Sequence, residues 1–135
     1  MARVLVVDDE KTDLIIMLNI VERAGHDVYF ASDGAEGLRV YVQRNIDVVV
    51  TDLRMPEVHG LEFIVALRTL DPKASIIAVS ITGEGQLAMA EAVGATTSLS
   101  KPVDPDALIE AIAGCPRVRK RAAELVKLAE ELEGG

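Results

Sequence analysis

Residues 48–60 read VVVTDLRMPEVHG: a β-branched apolar run, a carboxylate at Asp52, then a loop holding Met55, Pro56 and Gly60. An apolar run with no polar alternation predicts a strand covered on both faces, hence a sheet between two helical layers. Such a strand needs neighbours of the same kind. The chain supplies them as RVLVV (3–7), DVYFA (27–31), SIIAVS (75–80) and, more weakly, TTSLS (96–100).

Between these runs, apolar residues fall at helical spacing over 11–24, 34–43, 60–69, 84–93 and 105–113. Leu14, Ile15, Leu18 and Val21 line the first of these, with Gly25 at the expected C′ position. Ser32 or Asp33 can cap the second, and Asp71-Pro72 closes the third. Strand and helix alternating five times predicts an α/β fold: a doubly wound, five-stranded parallel sheet in flavodoxin-like order 2-1-3-4-5, helices on both faces.

Composition narrows the function. The chain has 135 residues, enough for one domain. With two Phe, two Tyr and no Trp, the core must be aliphatic. Fourteen basic against 22 acidic residues leave a net charge of −8, which disfavours direct contact with nucleic acid. The single cysteine, Cys115, excludes an internal disulfide and fits a reducing compartment. No stretch has the length and polarity of a signal peptide or a membrane span. A soluble cytoplasmic domain is the expectation.

In a parallel sheet all strands end at one edge. The residues there are Asp8 and Asp9 after the first strand, Asp52 after the third, Ser80 closing the fourth and Lys101 after the fifth. Strand order reverses between the first and third strands, so their acids meet at the crevice where such sheets bind ligands. Carboxylates about 5 Å apart repel by roughly 3 kcal/mol at an effective dielectric near 20, so the cluster takes up a proton or a cation. An all-oxygen set without His or Cys suits Mg²⁺. Lys101 and Ser80 add groups that hold a transferring phosphoryl. Asp52 is then the nucleophile, forming an acyl phosphate.

VVDDE (6–10), DLRMPEVHG (52–60), the Ser80 strand end and Lys101-Pro102 together resemble the receiver domain of two-component response regulators, of chemotaxis-receiver type. The resemblance covers about residues 2–114. It implies that Asp52 is the phosphoacceptor, becoming 4-aspartylphosphate at the expense of a phosphohistidine on a sensor histidine kinase or phosphotransfer protein. It implies a Mg²⁺ site of Asp9, Asp52, the Arg54 backbone carbonyl and, partly through water, Asp8. It gives Ser80 and Lys101 the phosphoryl oxygens, and Pro102 a preceding cis bond. An output domain or target protein, unspecified by the sequence, would read the switch.

The sequence departs from the family's pattern at several positions. Ile81 stands where Ala or Gly is usual, so small phosphodonors are expected to react slowly. Ser98 replaces the switch aromatic and Val103 a Phe, so the chemistry looks intact and the transmission altered. Arg54 and Thr82 occupy positions that tune dephosphorylation in the family.

Residues 117–133 predict a sixth helix, with Val118, Ala122, Leu125, Ala129 and Leu132 on a short coiled-coil-like seam. The division expected is a receiver domain over 1–114 and a helical extension or linker over 115–135. The seam can pack on its own domain, lead into a linker, or pair antiparallel in a homodimer.

Bland readings are preferred elsewhere. Glu10 and Asp13 are helix-start acids, and His59 is an exposed loop residue. His26 belongs to a helix-to-strand turn. Met17, Met55 and Met89 are packing residues, and 117–121 is a solvated helix face. Gly83 and Gly85 give the preceding loop freedom.

Two rival functions remain at this point. One is a receiver-like scaffold independent of phosphorylation. The other is a phosphohydrolase of haloacid dehalogenase type, opposed by Arg54 where that fold needs a second acid.

Overall fold

Along β1 (Arg3–Val7) and β3 (Val48–Asp52) successive side chains point to opposite sides of the sheet. Leu5, Val7 and Val49 enter one core while Val4, Val6, Val48 and Val50 enter the other. Both runs therefore have to be apolar throughout. The structure is a computed structural model that describes residues 1–54, 60–81 and 84–134. Its other strands are β2 (Asp27–Ala31), β4 (Ile76–Ser80) and β5 (Thr97–Ser100), all parallel, in the order β2-β1-β3-β4-β5. The two edge strands are the less buried, as their weaker apolar patterns require.

The helices are α1 (Lys11–Arg23), α2 (Gly34–Arg44), α3 (Gly60–Leu70), α4 (Glu84–Ala92), α5 (Pro105–Ala113) and α6 (Pro116–Gly134). Helices α2, α3 and α4 cover the face that holds Leu5 and Val49, with Phe63, Ile64 and Leu67 buried against it. Helices α1 and α5 cover the other through Leu14, Met17, Val21, Leu108 and Ile112. Capping follows local chemistry. Asp33, not Ser32, caps α2 by accepting from the Glu36 N–H at 2.8 Å. Gly25 takes φ +93° just past α1, where a side chain would be strained. His26 lies in the turn that follows, where its Nδ1 accepts from the Ala2 N–H at 3.0 Å.

Three sequence expectations need correction. Met17 is buried, but Met89 is 54% exposed on α4 and packs into neither core. Residues 117–121 are not simply a solvated face. Arg117 pairs with Asp71 at 2.6 Å and reaches the Tyr41 hydroxyl at 3.0 Å, while Arg121 pairs with Asp47. Asp13 is more than a helix-start acid, because its carboxylate meets Lys101 at 3.0 Å. Met55, Pro56, His59, Thr82 and Gly83 lie outside the described residues.

Helix α6 is divided along its length. Val118 packs against the α1/α5 core, and the two arginines hold the first turns to the lower edge of the sheet. From Ala122 onward every described residue is exposed, including the seam leucines Leu125 and Leu132. No helix among the described residues is long and apolar enough to cross a membrane.

Candidate functional site

Register and parity explain why two acids meet at the upper edge. Val6 pairs with Val50 and Val7 with Thr51, so the next residues, Asp8 and Asp52, end adjacent strands side by side. Both continue the alternation that faces α1 and α5. Asp8 and Asp52 are 1% and 5% exposed, whereas Asp9 sits at the open rim. One carboxylate oxygen from each of Asp8, Asp9 and Asp52 can be chosen so that all three lie within 4.8 Å of one another.

Lys101 follows the end of β5, where its N–H donates to the Ser80 carbonyl at 2.9 Å. The Lys101-Pro102 peptide is cis. The Lys101 Nζ lies 2.9 Å from Asp8, 3.0 Å from Asp13 and 3.6 Å from Asp52. One amine thus serves three carboxylates, and Asp9 adds a fourth negative group at the rim. Ser80 is fully buried where β4 reaches the same edge.

The electrostatics follow from that imbalance. Burial is the main force raising the Asp52 carboxyl from 3.8 to about 6, and the neighbouring Asp8 charge pushes the same way. Lys101 and the Arg54 backbone N–H, which hydrogen-bonds the Asp52 carboxylate, only partly oppose it. Burial raises Asp8 as well, against its bonds to Lys101 and to the Glu10 N–H. Burial alone would lower Lys101, but its carboxylate partners outweigh that and raise it.

Backbone close approach sets where α3 begins relative to Asp52. The Gly60 N–H donates to the Leu53 carbonyl at 3.2 Å. A Cβ on Gly60 would lie 2.4 Å from the Leu53 Cα and 2.5 Å from the Asp52 carbonyl oxygen. Only glycine lets α3 start this near the strand end. A glycine eight residues after the acid was the available signal, though spacing alone does not show what it touches.

The remaining expected residues are placed as follows. The Arg54 side chain is exposed, and Ile81 is 61% exposed beside Ser80. The Ser98 hydroxyl donates to the Glu91 carboxylate, bridging β5 to α4. Val103 packs against the α1/α5 core. The structure thus gathers Asp8, Asp9, Asp52, Ser80 and Lys101 at one edge, and adds Asp13, which sequence reasoning left out. Its signal was its place in the first turn of the helix that follows Asp9.

Comparisons with known proteins agree with this geometry. A family model described as "Response regulator receiver domain" matches residues 4–113. The chemotaxis protein CheY of Thermotoga maritima is 34% identical over 113 residues, covering 82% of this chain and 93% of that protein. Two other curated relatives are longer, and the chain spans 25% of their length. Among solved structures, a response regulator receiver domain protein of Clostridium thermocellum superposes with a TM-score of 0.82 at 30% identity, over 91% of this chain and 98% of that one. The CheX-CheY-BeF3-Mg complex of Borrelia burgdorferi matches with a TM-score of 0.78 at 28% identity, over 83% and 87%.

Proposed function

The chain belongs to the response regulator receiver domain family, and we propose from that premise that Asp52 is its phosphoacceptor within a Mg²⁺ site. The observation that carries this reading is the charge imbalance at the upper edge, where Asp8, Asp9 and Asp52 converge within 4.8 Å around a single lysine. The donor set fits the metal: oxygens only, two of the carboxylates buried and one open to solvent. Asp9, Asp52 and the Arg54 carbonyl would hold Mg²⁺, with Asp8 partly through water. When bound, the ion neutralises the carboxylates and polarises the phosphoryl oxygens.

The protein's own groups do the rest. An Asp52 carboxylate oxygen attacks the phosphorus of a phosphohistidine on a sensor histidine kinase or phosphotransfer protein. The P–O bond forms as the P–N bond breaks, and that electron pair leaves with the imidazole. Lys101, 3.6 Å from Asp52 at rest, moves onto a phosphoryl oxygen. Ser80 donates its hydroxyl to another. Both are donors held at the edge where the transferring charge develops. Water later cleaves the acyl phosphate, so the protein acts as a timed switch and not a turnover catalyst. Ile81, standing in solvent beside Ser80, would slow small donors such as acetyl phosphate relative to a protein donor.

Transmission would differ from an aromatic swing. The Ser98–Glu91 hydrogen bond ties β5 to α4, and movement of Ser80 and Lys101 would strain it. An output domain or target protein reading that face completes the proposal.

The test is intact-mass spectrometry after incubation with a phosphohistidine donor and Mg²⁺. Wild type should gain one acid-stable, alkali-labile phosphate, and Asp52→Asn should gain none. Steady release of inorganic phosphate from many small esters would favour a hydrolase instead. No phosphate on wild type would favour a scaffold.

A further inference from the structure

Among the described residues, two apolar surfaces stand open to solvent in ways that fit each other. The first is the distal part of α6. From Ala122 it projects about 20 Å at 1.5 Å per residue, with Leu125, Leu128 and Leu132 each more than half exposed. Their i, i+3, i+7 spacing is that of an amphipathic helix read by a groove. The second is a groove of about 690 Å³ between α2 and α3, walled by Leu38, Val42, Ala66 and Leu70. Val42 and Leu70 are 64% and 53% exposed.

Charge matches the two. The projecting segment carries Glu124, Glu130, Glu131 and Glu133 against Lys127 alone. Among the described residues, the groove is lined by no carboxylate and by one cation, Arg39. The helix cannot turn back into its own groove while it stays continuous, because Arg117 and Arg121 fix the direction of its root. Direct α6–α6 pairing would set two segments of net charge −3 against each other. A second copy of the chain, exchanging helices reciprocally, covers both surfaces at once.

We propose that the chain forms a two-fold dimer in which the distal half of α6 from each copy lies in the α2/α3 groove of the other, Leu125, Leu128 and Leu132 against Val42 and Leu70, with the acidic flank beside Arg39. The contact is isologous and closes at two chains. It lies away from the Asp52 edge and does not depend on phosphorylation.

Sedimentation equilibrium of the full chain across the micromolar range tests this. Wild type should have the mass of two chains. Leu128→Asp and Val42→Asp, both at exposed positions, should each have the mass of one. Arg39→Glu, which leaves the apolar contact intact, should weaken the dimer several-fold. Mixing the Leu128→Asp and Val42→Asp proteins should restore a two-chain species, because one intact helix then meets one intact groove. A wild type of one-chain mass would overturn the proposal. So would a Val42→Asp protein that stays dimeric while Leu128→Asp does not, since that is the signature of helix-on-helix pairing.

Discussion

The two edges of the sheet are both rich in charge, and they settle it in opposite ways. At the lower edge the two α6 arginines each have their own carboxylate: Arg117 with Asp71, Arg121 with Asp47. Tyr41 also donates to Asp71 at 2.6 Å, and the Arg3 N–H to Asp47 at 2.8 Å. Asp71 is held below its ordinary value because these bonds outweigh its desolvation. At the upper edge Asp8, Asp13 and Asp52 share Lys101, and burial drives Asp52 up to about 6. These two pairs form a clamp in which each charge meets its opposite. The upper edge holds carboxylates short of positive charge, which is what a cation site requires and what stability alone would not select.

The sharpest contrast between the edges comes from Asp52→Asn. It should abolish phosphoryl uptake, read as loss of the mass gain, while the melting temperature of the metal-free protein holds or rises. Removing a clamp acid should do the reverse, lowering stability and leaving uptake intact.

Gly60→Ala ranks next. The added Cβ overlaps strand backbone, which cannot swing aside, so urea unfolding should show a loss of about 3 kcal/mol. Uptake should fall as well, because the displaced atoms include the Asp52 carbonyl.

Opposite pH signatures follow from the two pKa directions. A raised Asp52 means the folded state holds its proton longer than the unfolded state. Without divalent ions, stability should therefore fall as pH rises from about 4 through about 6, by up to about 3 kcal/mol. Asp71 is lowered, so its contribution is present above pH 3.8 and is lost as pH falls through its folded value. Asp52→Asn should flatten the first limb and Asp71→Asn the second, as measured by urea midpoints across pH.

Asp71→Ala leaves the Tyr41 hydroxyl without its acceptor and Arg117 without its carboxylate, and should cost about 1–2 kcal/mol in the same assay. Arg121→Ala, at a pair 40% exposed on its arginine side, should cost less than about 1 kcal/mol.

How much of this was legible depended on whether the signal was local. Among the described residues, the five strands and six helices fall where apolar period and caps put them, with bounds shifting by a residue or two. The doubly apolar runs required covered strands, and parallel connection fixed the edge at which Asp8, Asp9, Asp52, Ser80 and Lys101 gather. Asp13 was misread because a first-turn acid satisfies the helix dipole whether or not a lysine from 88 residues away reaches it. Arg117 and Arg121 looked like an exposed basic run because their partners, Asp71 and Asp47, come from other elements. Met89 shows the same limit: an apolar side chain at helical spacing need not find a core.

The central claim is that the upper-edge carboxylates bind a divalent cation. Its most direct test is the melting temperature of wild type, Asp9→Ala and Asp47→Ala as Mg²⁺ is titrated at pH 7. Mg²⁺ should raise the melting temperature of wild type and Asp47→Ala alike, by linkage to the folded state, and leave Asp9→Ala unmoved. A wild type indifferent to Mg²⁺, or an Asp9→Ala protein that gains as much as wild type, would contradict the account.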